Sequence, residues 1–413
     1  MANPNAIREL RLINTGTTFN TQHVSANAAA WNITNTVQLR IQSWDASDLK
    51  YESQPDGTLQ SRLHGAPYHI PTLRKGGVKF KCYLPTADNA VTIDPVANVL
   101  SAIMGGTVIA PTSRTLTCGT SANATHVQFQ TAHGMSNGMA ILFGTKGDGR
   151  GGGEVRSIIS TVNANTVILN MALSATPNSG DAAVCSHTIF LDEDQAQTYF
   201  DGLAIGKETD DAQQFVGAMG PFKISGTGPG DLPSVDVELQ CADWQFIQGI
   251  TRSSTVPSGN KPPTNRGLGG FFVGDSQTTV APVARGVMKA ADIDIDPGLK
   301  YEALPDPNGV NGIGGWVRMQ SAPTLKFSSI YSEDMPGLYN DWTTPTAKQI
   351  IVQFGSAQQG CCAVEFQRYW LNTSPVPKAI GGLAGVEIDG HGDEGQANTD
   401  GDRERSSIRI HVF

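Results

Sequence analysis

The densest group of potential metal ligands is Asp389, His391, Asp393 and Glu394, which together offer carboxylate oxygens and one imidazole. The group lies in a glycine-rich run with Asp400, Asp402 and Glu404, a composition that predicts a long loop and no metal site. Asp292, Asp294 and Asp296 open like a calcium loop, in which alternate carboxylates converge on one ion. The twelfth position is Ala303, however, and the interleaved Ile293 and Ile295 fit a strand with one acidic face. Gly147-Asp148-Gly149-Arg150-Gly151-Gly152 has the spacing of a dinucleotide loop. Strand-like residues from Glu154 to Ile159 follow it, so the helix start that would hold a phosphate is missing. G-x-S-x-G, H-E-x-x-H and phosphate-loop motifs are absent from the sequence, and the eight histidines are scattered. These residues predict no catalytic set, no cofactor and no metal.

Six cysteines form no C-x-x-C pair, a pattern suited to free thiols in a reducing compartment. Of the vicinal Cys361-Cys362, one is expected as a small core residue.

The elements that would position such residues are mainly β. The 413 residues include 46 Gly and 23 Pro but only 16% charged residues, too few for a helical bundle or coiled coil. Six Trp, eight Tyr and fifteen Phe are too many for a disordered chain, and no apolar run is long enough to cross a membrane as a helix. Met1 to Trp31 carries Arg8 and Arg11 without an apolar run or cleavage pattern, so no secretory signal is expected. One amphipathic helix stands out: Asp94 as N-cap, Pro95 at the first position, Val96, Val99, Leu100 and Ile103 on one face, and Gly105-Gly106 as the stop.

Self-comparison predicts a duplication. Leu49-Lys50-Tyr51-Glu52 followed by Pro55-Asp56 recurs as Leu299-Lys300-Tyr301-Glu302 followed by Pro305-Asp306. Pro71-Thr72-Leu73-Arg74 resembles Pro323-Thr324-Leu325-Lys326, and Asp94-Pro95 resembles Thr344-Pro345. After Thr344-Pro345, Ala347, Ile350, Ile351 and Phe354 fit a second helix, although the β-branched Ile350-Ile351-Val352 suits a strand nearly as well. Residues 217–226 resemble 382–390, each followed by an acidic glycine-rich loop and an alternating strand, at 234–239 and 407–412. Pro95 to Gly217 spans 122 residues whereas Pro345 to Gly382 spans 37, which places an insertion of about 85 residues near 107–187. That insertion has its own strand rhythm at 125–129, 140–143, 155–159 and 167–170. The expected organisation is an N-terminal arm (1–30), a discontinuous first β domain (31–106 and 188–245), an inserted small β domain (107–187), a Ser/Pro-rich linker (246–280) and a second β domain (281–413).

Charge is uneven. The formal net charge is −9, and residues 188–245 alone account for as much. A phosphate-neutralising patch is therefore not expected, whereas a surface that DNA passes without sticking is.

Two tandem β domains, an acidic strand-rich part, an insertion and the paired L-K-Y-E and G-x-x-G blocks resemble the tail tube proteins of long non-contractile-tailed phages, in the variant with two fused tube domains per subunit. The insertion, through His133-Gly134-Met135, Gly138 and Asn165-Thr166-Val167-Ile168-Leu169, resembles small β modules that decorate phage tail proteins. The resemblance implies tandem β-sandwich or barrel domains, each with a short helix. It implies homotrimeric rings of pseudo-sixfold symmetry stacked helically into a hollow tube in the virion tail, assembled in the host cytoplasm. The implied partners are other copies of the chain, a tape measure protein and DNA held loosely in the lumen, and tail terminator and distal tail proteins, with no membrane. By strand alternation Asp236 and Glu238 are candidate lumen-facing residues, with Arg409 and His411 in the matching strand departing from that acidity. Pro55, Asp56, Pro305 and Asp306 are candidate ring-stacking loop residues.

Two other classes compete. A cell-surface or carbohydrate-binding β-sandwich would present Trp44, Trp244, Trp316, Trp342 or Trp370 on an open sheet. A polysaccharide-cleaving enzyme would need two carboxylates in a cleft, which spacing alone neither supplies nor excludes.

Overall fold

The computed structural model describes residues 7–16, 19, 37–47, 49–55, 69–86, 94–105, 108–121, 123–144, 153–192, 198–206, 211–226, 232–248, 250, 263, 268–275, 284–287, 290–330, 340, 342–355, 360–380, 382–395 and 405–413. The fold is mainly β, built as sandwiches that open into a half-barrel.

In chain order the strands begin with β1 (Ile7–Gly16), β2 (Val37–Leu39), β3 (Ile41–Asp45), β4 (Lys50–Pro55) and β5 (His69–Tyr83), followed by helix α1 (Pro95–Met104). Then come β6 (Thr115–Thr117), β7 (His126–Gln128), β8 (Ala140–Phe143), β9 (Glu154–Asn163), β10 (Thr166–Leu169) and β11 (Ala182–Cys185). Next are β12 (His187–Phe190), β13 (Tyr199–Gly206), β14 (Ala212–Ala218), β15 (Phe222–Gly226), β16 (Ser234–Cys241) and β17 (Asp243–Ile247). The remainder comprises β18 (Leu268–Asp275), β19 (Ala284–Val287), β20 (Ala290–Asp296), β21 (Leu299–Val310), β22 (Ile313–Gln320) and β23 (Thr324–Ile330). It ends with β24 (Lys348–Phe354), β25 (Cys362–Leu371), β26 (Val376–Ile380), β27 (Leu383–Asp393) and β28 (Arg409–Val412).

Strand pairing falls into two sets with the same order. The first half has a back sheet β17-β14-β13-β1-β2, and the second half has β28-β25-β24-β18-β19. Facing these are the front sheets β15-β16-β5-β3 and β26-β27-β23-β20. A hairpin projects from each front sheet: β4 with the first part of β5, and β21 with β22. We call the halves the first and second repeat. Between front and back sheets Trp44, Phe80, Val237 and Phe215 close the first core, and Phe271, Phe327 and Phe366 the second, within one continuous apolar cluster. Helix α1 buries Val96, Val99, Leu100 and Ile103 in that cluster. Its start is fixed by the Asp94 carboxylate accepting from the Val96 amide at 2.8 Å, and its end by Gly105 at φ +72°.

Several expectations are corrected. The N-terminal arm contains β1, an interior strand of the first back sheet, because the alternating Leu10 and Leu12 belong in the core. The linker contains β18, an interior strand of the second back sheet, since Phe271 is too apolar to stay outside. Residues 348–354 form strand β24 rather than a second helix; among the described residues, a helical turn at 340 and 342–343 precedes it. The expected loop around Asp389 is the long strand β27. The paired blocks also shift. Pro71-Thr72-Leu73-Arg74 lies in the hairpin opposite β4, whereas Pro323-Thr324-Leu325-Lys326 enters β23, which pairs with β20 and β27. By pairing, β16 corresponds to β27 and β17 to β28, so strands 234–239 and 407–412 hold non-equivalent positions in the two repeats.

The inserted stretch forms its own six-stranded sheet, β6-β11-β8-β9-β10-β7, over a separate core of Val127, Phe129, Ile141, Ile158, Val167 and Leu169.

Candidate assembly interface

The two front sheets are one continuous sheet. β15 of the first repeat pairs antiparallel with β20 of the second, Ile224 opposite Ile295, Ser225 opposite Asp294 and Gly226 opposite Ile293. The far edges are the topological equivalents of the strands that meet in the middle: β26, which corresponds to β15, and β3, which corresponds to β20. Among the described residues β26 pairs only with β27, and β3 only with β5.

One face of this sheet is covered by charge pairs. Lys79 meets Glu238 at 2.5 Å, Lys81 meets Asp236 at 3.6 Å, Lys223 meets Asp296 at 3.1 Å and Lys326 meets Asp389 at 3.1 Å. Lys378 reaches Glu387 at 2.8 Å and Asp292 at 3.6 Å, while Arg368 reaches Asp393 at 3.6 Å. Hydrogen bonding raises the pKa of Lys223, through Asp296, and of Lys378, through Glu387, and lowers that of Glu387, through Lys378. Asp236 and Glu238 thus lie on the side opposite the buried Val235, Val237 and Leu239, as alternation predicts. Neither carboxylate is bare, because β5 sets a lysine opposite each. Such exposed pairs contribute roughly 0–1 kcal/mol apiece, so their effect is to cancel field rather than to hold the sheet together.

A second contact ties the repeats at the hairpin β21–β22. The Tyr301 hydroxyl donates to the Ile103 carbonyl at 2.8 Å, and Arg318 donates to the Met104 carbonyl at 3.1 Å and the Asp192 carbonyl at 2.6 Å. Tyr301 and Arg318 are directly opposite across the hairpin. They satisfy carbonyls at the C-terminal end of α1, which lack partners within the helix and carry its negative end. Burial pushes the Tyr301 hydroxyl pKa well up, which keeps it a donor. Trp316 donates to the Gly217 carbonyl at 2.7 Å and Asn311 to the Ala242 carbonyl at 2.8 Å. Beside this clasp an open cleft of about 570 Å³ runs between Leu239, Cys241, Tyr301, Ile313 and Trp316, with Glu238 and Glu302 at its lining.

The insertion docks on the second back sheet. Ala140, Leu142, Val155, Met171 and Val184 form one apolar cluster with Phe272, Ile351, Ala363 and Phe413. Inside that contact Glu365 is fully buried. Its carboxylate accepts from Ser157 and Gln349 at 2.6 Å each, lies 3.0 Å from His411 Nε2 and pairs with Arg409 at 3.3 Å. Burial opposes its ionisation, but Arg409, His411 and Ser157 outweigh this and hold its pKa down to about 2. Burial lowers the pKa of His411 against the pull of Glu365, so the imidazole is neutral: Nε2 donates to Glu365 and Nδ1 accepts from Thr188, 3.1 Å away. The Thr188–His411–Glu365 line has the order of a hydrolytic triad, yet all three side chains are sealed from solvent. Arg409 and His411 therefore face the docked insertion and not the charge-paired face.

Neither a protein-family model nor any curated protein matches the chain.

The remaining expectations are spread apart. Pro55 ends β4, and Asp56 lies outside the described residues. Pro305 and Asp306 are at the irregular tip of the hairpin β21–β22, where Asp306 accepts from the Asn308 amide at 2.9 Å. The glycine loop 147–152 lies outside the described residues. Among the described residues no group of three His, Cys, Asp or Glu side chains is placed to hold a metal ion. Trp44, Trp244 and Trp316 are buried, so they form no open aromatic platform, while Trp342 stays 40% exposed. No helix among the described residues is long and apolar enough to cross a membrane. Sequence reasoning missed Glu365, although a carboxylate within the apolar run Cys361-Cys362-Ala363-Val364-Glu365-Phe366 was a signal of a buried polar partner. It also missed the Tyr301–Arg318 clasp, which becomes visible only once the hairpin register is known.

Proposed function

We propose that this chain is the subunit of a phage tail tube, in which three chains close into a ring of six repeats and rings stack into a hollow conduit for DNA. The observation that carries the reading is the β15–β20 junction. Two repeats of one design already join front sheet to front sheet, and the strands equivalent to those in the junction are left at the outer edges, β26 and β3. An unpaired edge invites a further strand, and a junction that adds a fixed rotation each time either closes a ring or grows a helix. Pairing β26 with β3 of the next chain would repeat the internal junction between chains.

The charge-paired face supports a lumen. Cations and carboxylates alternate there with carboxylates in excess, so a phosphate backbone meets no basic track to bind. A tape measure protein during assembly and DNA during ejection are the proposed contents, with tail terminator and distal tail proteins at the ends. The insertion lies over the back sheet, the side away from that face, as a decoration would.

Electron microscopy of the purified chain tests the proposal. Rings or hollow tubes are expected, with Ala379→Pro in β26 abolishing them by removing an edge donor. Dispersed monomers at high concentration, with or without glycan binding, would overturn it.

A further inference from the structure

We infer that the open edge of β17, at Phe246, receives Trp342 and the stretch that follows it from a second copy of this chain. The inference rests on the ring-forming reading above and adds a contact between neighbours on the back sheets. Its starting point is a strand that one repeat has and the other lacks. In the second repeat the back sheet does not end at β28, because β12 of the first repeat pairs along it, His187 opposite Val412 and Ile189 opposite Ile410. Ile410 and Val412 are fully buried, in one cluster with Ile189 and the apolar residues of α1. In the first repeat the equivalent edge is β17, which among the described residues pairs only with β14. The core rows align the two edges. Gly202, Phe215 and Trp244 stand across one another as Val352, Val364 and Ile410 do, so Phe246, two residues on, holds the place of Val412. Val412 is sealed whereas Phe246 is 65% exposed, its ring perpendicular to that of Trp244 at 5.4 Å.

The cover over Val412 comes from the stretch between α1 and β13. The corresponding stretch of the second repeat leads from the helical turn at 342–343 into β24, and Trp342-Thr343-Thr344-Pro345-Thr346 is exposed throughout. If the junction between the repeats recurs between chains, β26 lies against β3 of the neighbour and this stretch comes to the neighbour's β17, as β12 comes to β28. The rings fit that placement. Among the described residues Phe246 and Trp342 are the exposed Phe and Trp side chains, one on the edge that lacks a cover and one on the stretch that would supply it. Burying two such rings against each other gains from apolar area and from edge-to-face stacking. Pro345 has no amide hydrogen and the stretch is short, so the contact rests on the rings and not on a strand ladder like that of β12.

Analytical ultracentrifugation of Phe246→Ser and Trp342→Ser across a range of concentrations, with the melting temperature of each dissociated chain, tests the contact. Both variants are expected to raise the concentration needed for assembly at least tenfold with an unchanged melting temperature, since both rings are exposed in the single chain. Val412→Ser, the internal counterpart, is expected to lower the melting temperature. Wild-type assembly by either ring variant overturns the inference and leaves the β17 edge to a different protein or to none, while rings from the wild-type chain would leave the tube reading standing. A lowered melting temperature in either ring variant also overturns it, because that ring would then belong to the fold of the single chain. A wild-type chain that stays monomeric overturns both readings. As an independent readout, a mixture of Phe246→Cys chains and Trp342→Cys chains should form mixed disulfide pairs under mild oxidation, against a background of buried native thiols. Pairs of like chains only, or no pairs, overturn the inference.

Discussion

Ser157 in the insertion donates its hydroxyl to Glu365 in the second repeat at 2.6 Å, across 208 residues of sequence. The bond is buried and shares its acceptor with Gln349, Arg409 and His411, so the insertion is anchored by a polar network and not by apolar contact alone. Glu365→Ala leaves Arg409 buried without its carboxylate and is expected to cost about 3–5 kcal/mol of stability, read from urea unfolding.

Acid should loosen the same contact. Burial holds the pKa of His187 at about 4 and lowers that of His411, each from an unfolded value of 6.5. The unfolded chain binds more protons below that value, so stability is present above pH 6.5 and falls as pH drops towards 4. Glu365, held down to about 2, adds a second loss between about pH 4.5 and 2. Melting temperature measured from pH 8 to 4 should therefore decline from about 6.5 downwards, and His411→Asn should flatten the upper part of the decline. A flat profile would contradict the assigned neutral imidazoles.

Excising residues 107–187 bares Phe272, Ile351, Ala363 and Phe413. The shortened chain is expected to bind a hydrophobic dye and precipitate, and Phe272→Ser/Ile351→Thr in that background should restore solubility. A freely soluble shortened chain would mean that the docked face is covered in some other way.

Gly105→Ala probes the clasp from the helix side. The position has φ +72°, and a Cβ there would collide with the Arg318 guanidinium. A loss of about 1 kcal/mol from backbone strain alone is expected, with more from the displaced arginine; Arg318→Ala should reduce that excess in a double-mutant cycle.

All six cysteines are free and buried, and burial raises the thiol pKa of each, to about 11 for Cys118 and about 12 for Cys185 and Cys241. A thiol reagent at pH 8 should titrate no cysteine in the native chain and six in denaturant.

Much of the local structure was legible in the sequence. Asp94, Pro95 and Gly105 bounded α1, and the run 140–143 is β8. What was hidden depends on long-range partners. Glu9 and Arg11 alternate with Leu10 and Leu12 and suggest a half-exposed arm, yet Arg11 pairs with Glu9 at 2.7 Å, Gln38 donates to Glu9 and all are buried. Gly390 and Gly392 made β27 look like a loop. Their missing Cβ atoms make room for the rings of Tyr369 and Phe366, so the glycines serve strand packing. The alternation that placed Asp236 and Glu238 on an exposed face says nothing of what lies across the ladder, and Lys81 and Lys79 became visible only with the register.

The route of the chain through the insertion has a mechanical consequence. On leaving it, β12 pairs with β28 of the second repeat before the chain returns to the first, while β15 and β20 bond the repeats on the opposite side. The repeats are thus fastened on both sides of their boundary, like a door bolted at hinge and latch. The angle between them is therefore set when one chain folds, and in the proposed ring the curvature would be written into the monomer.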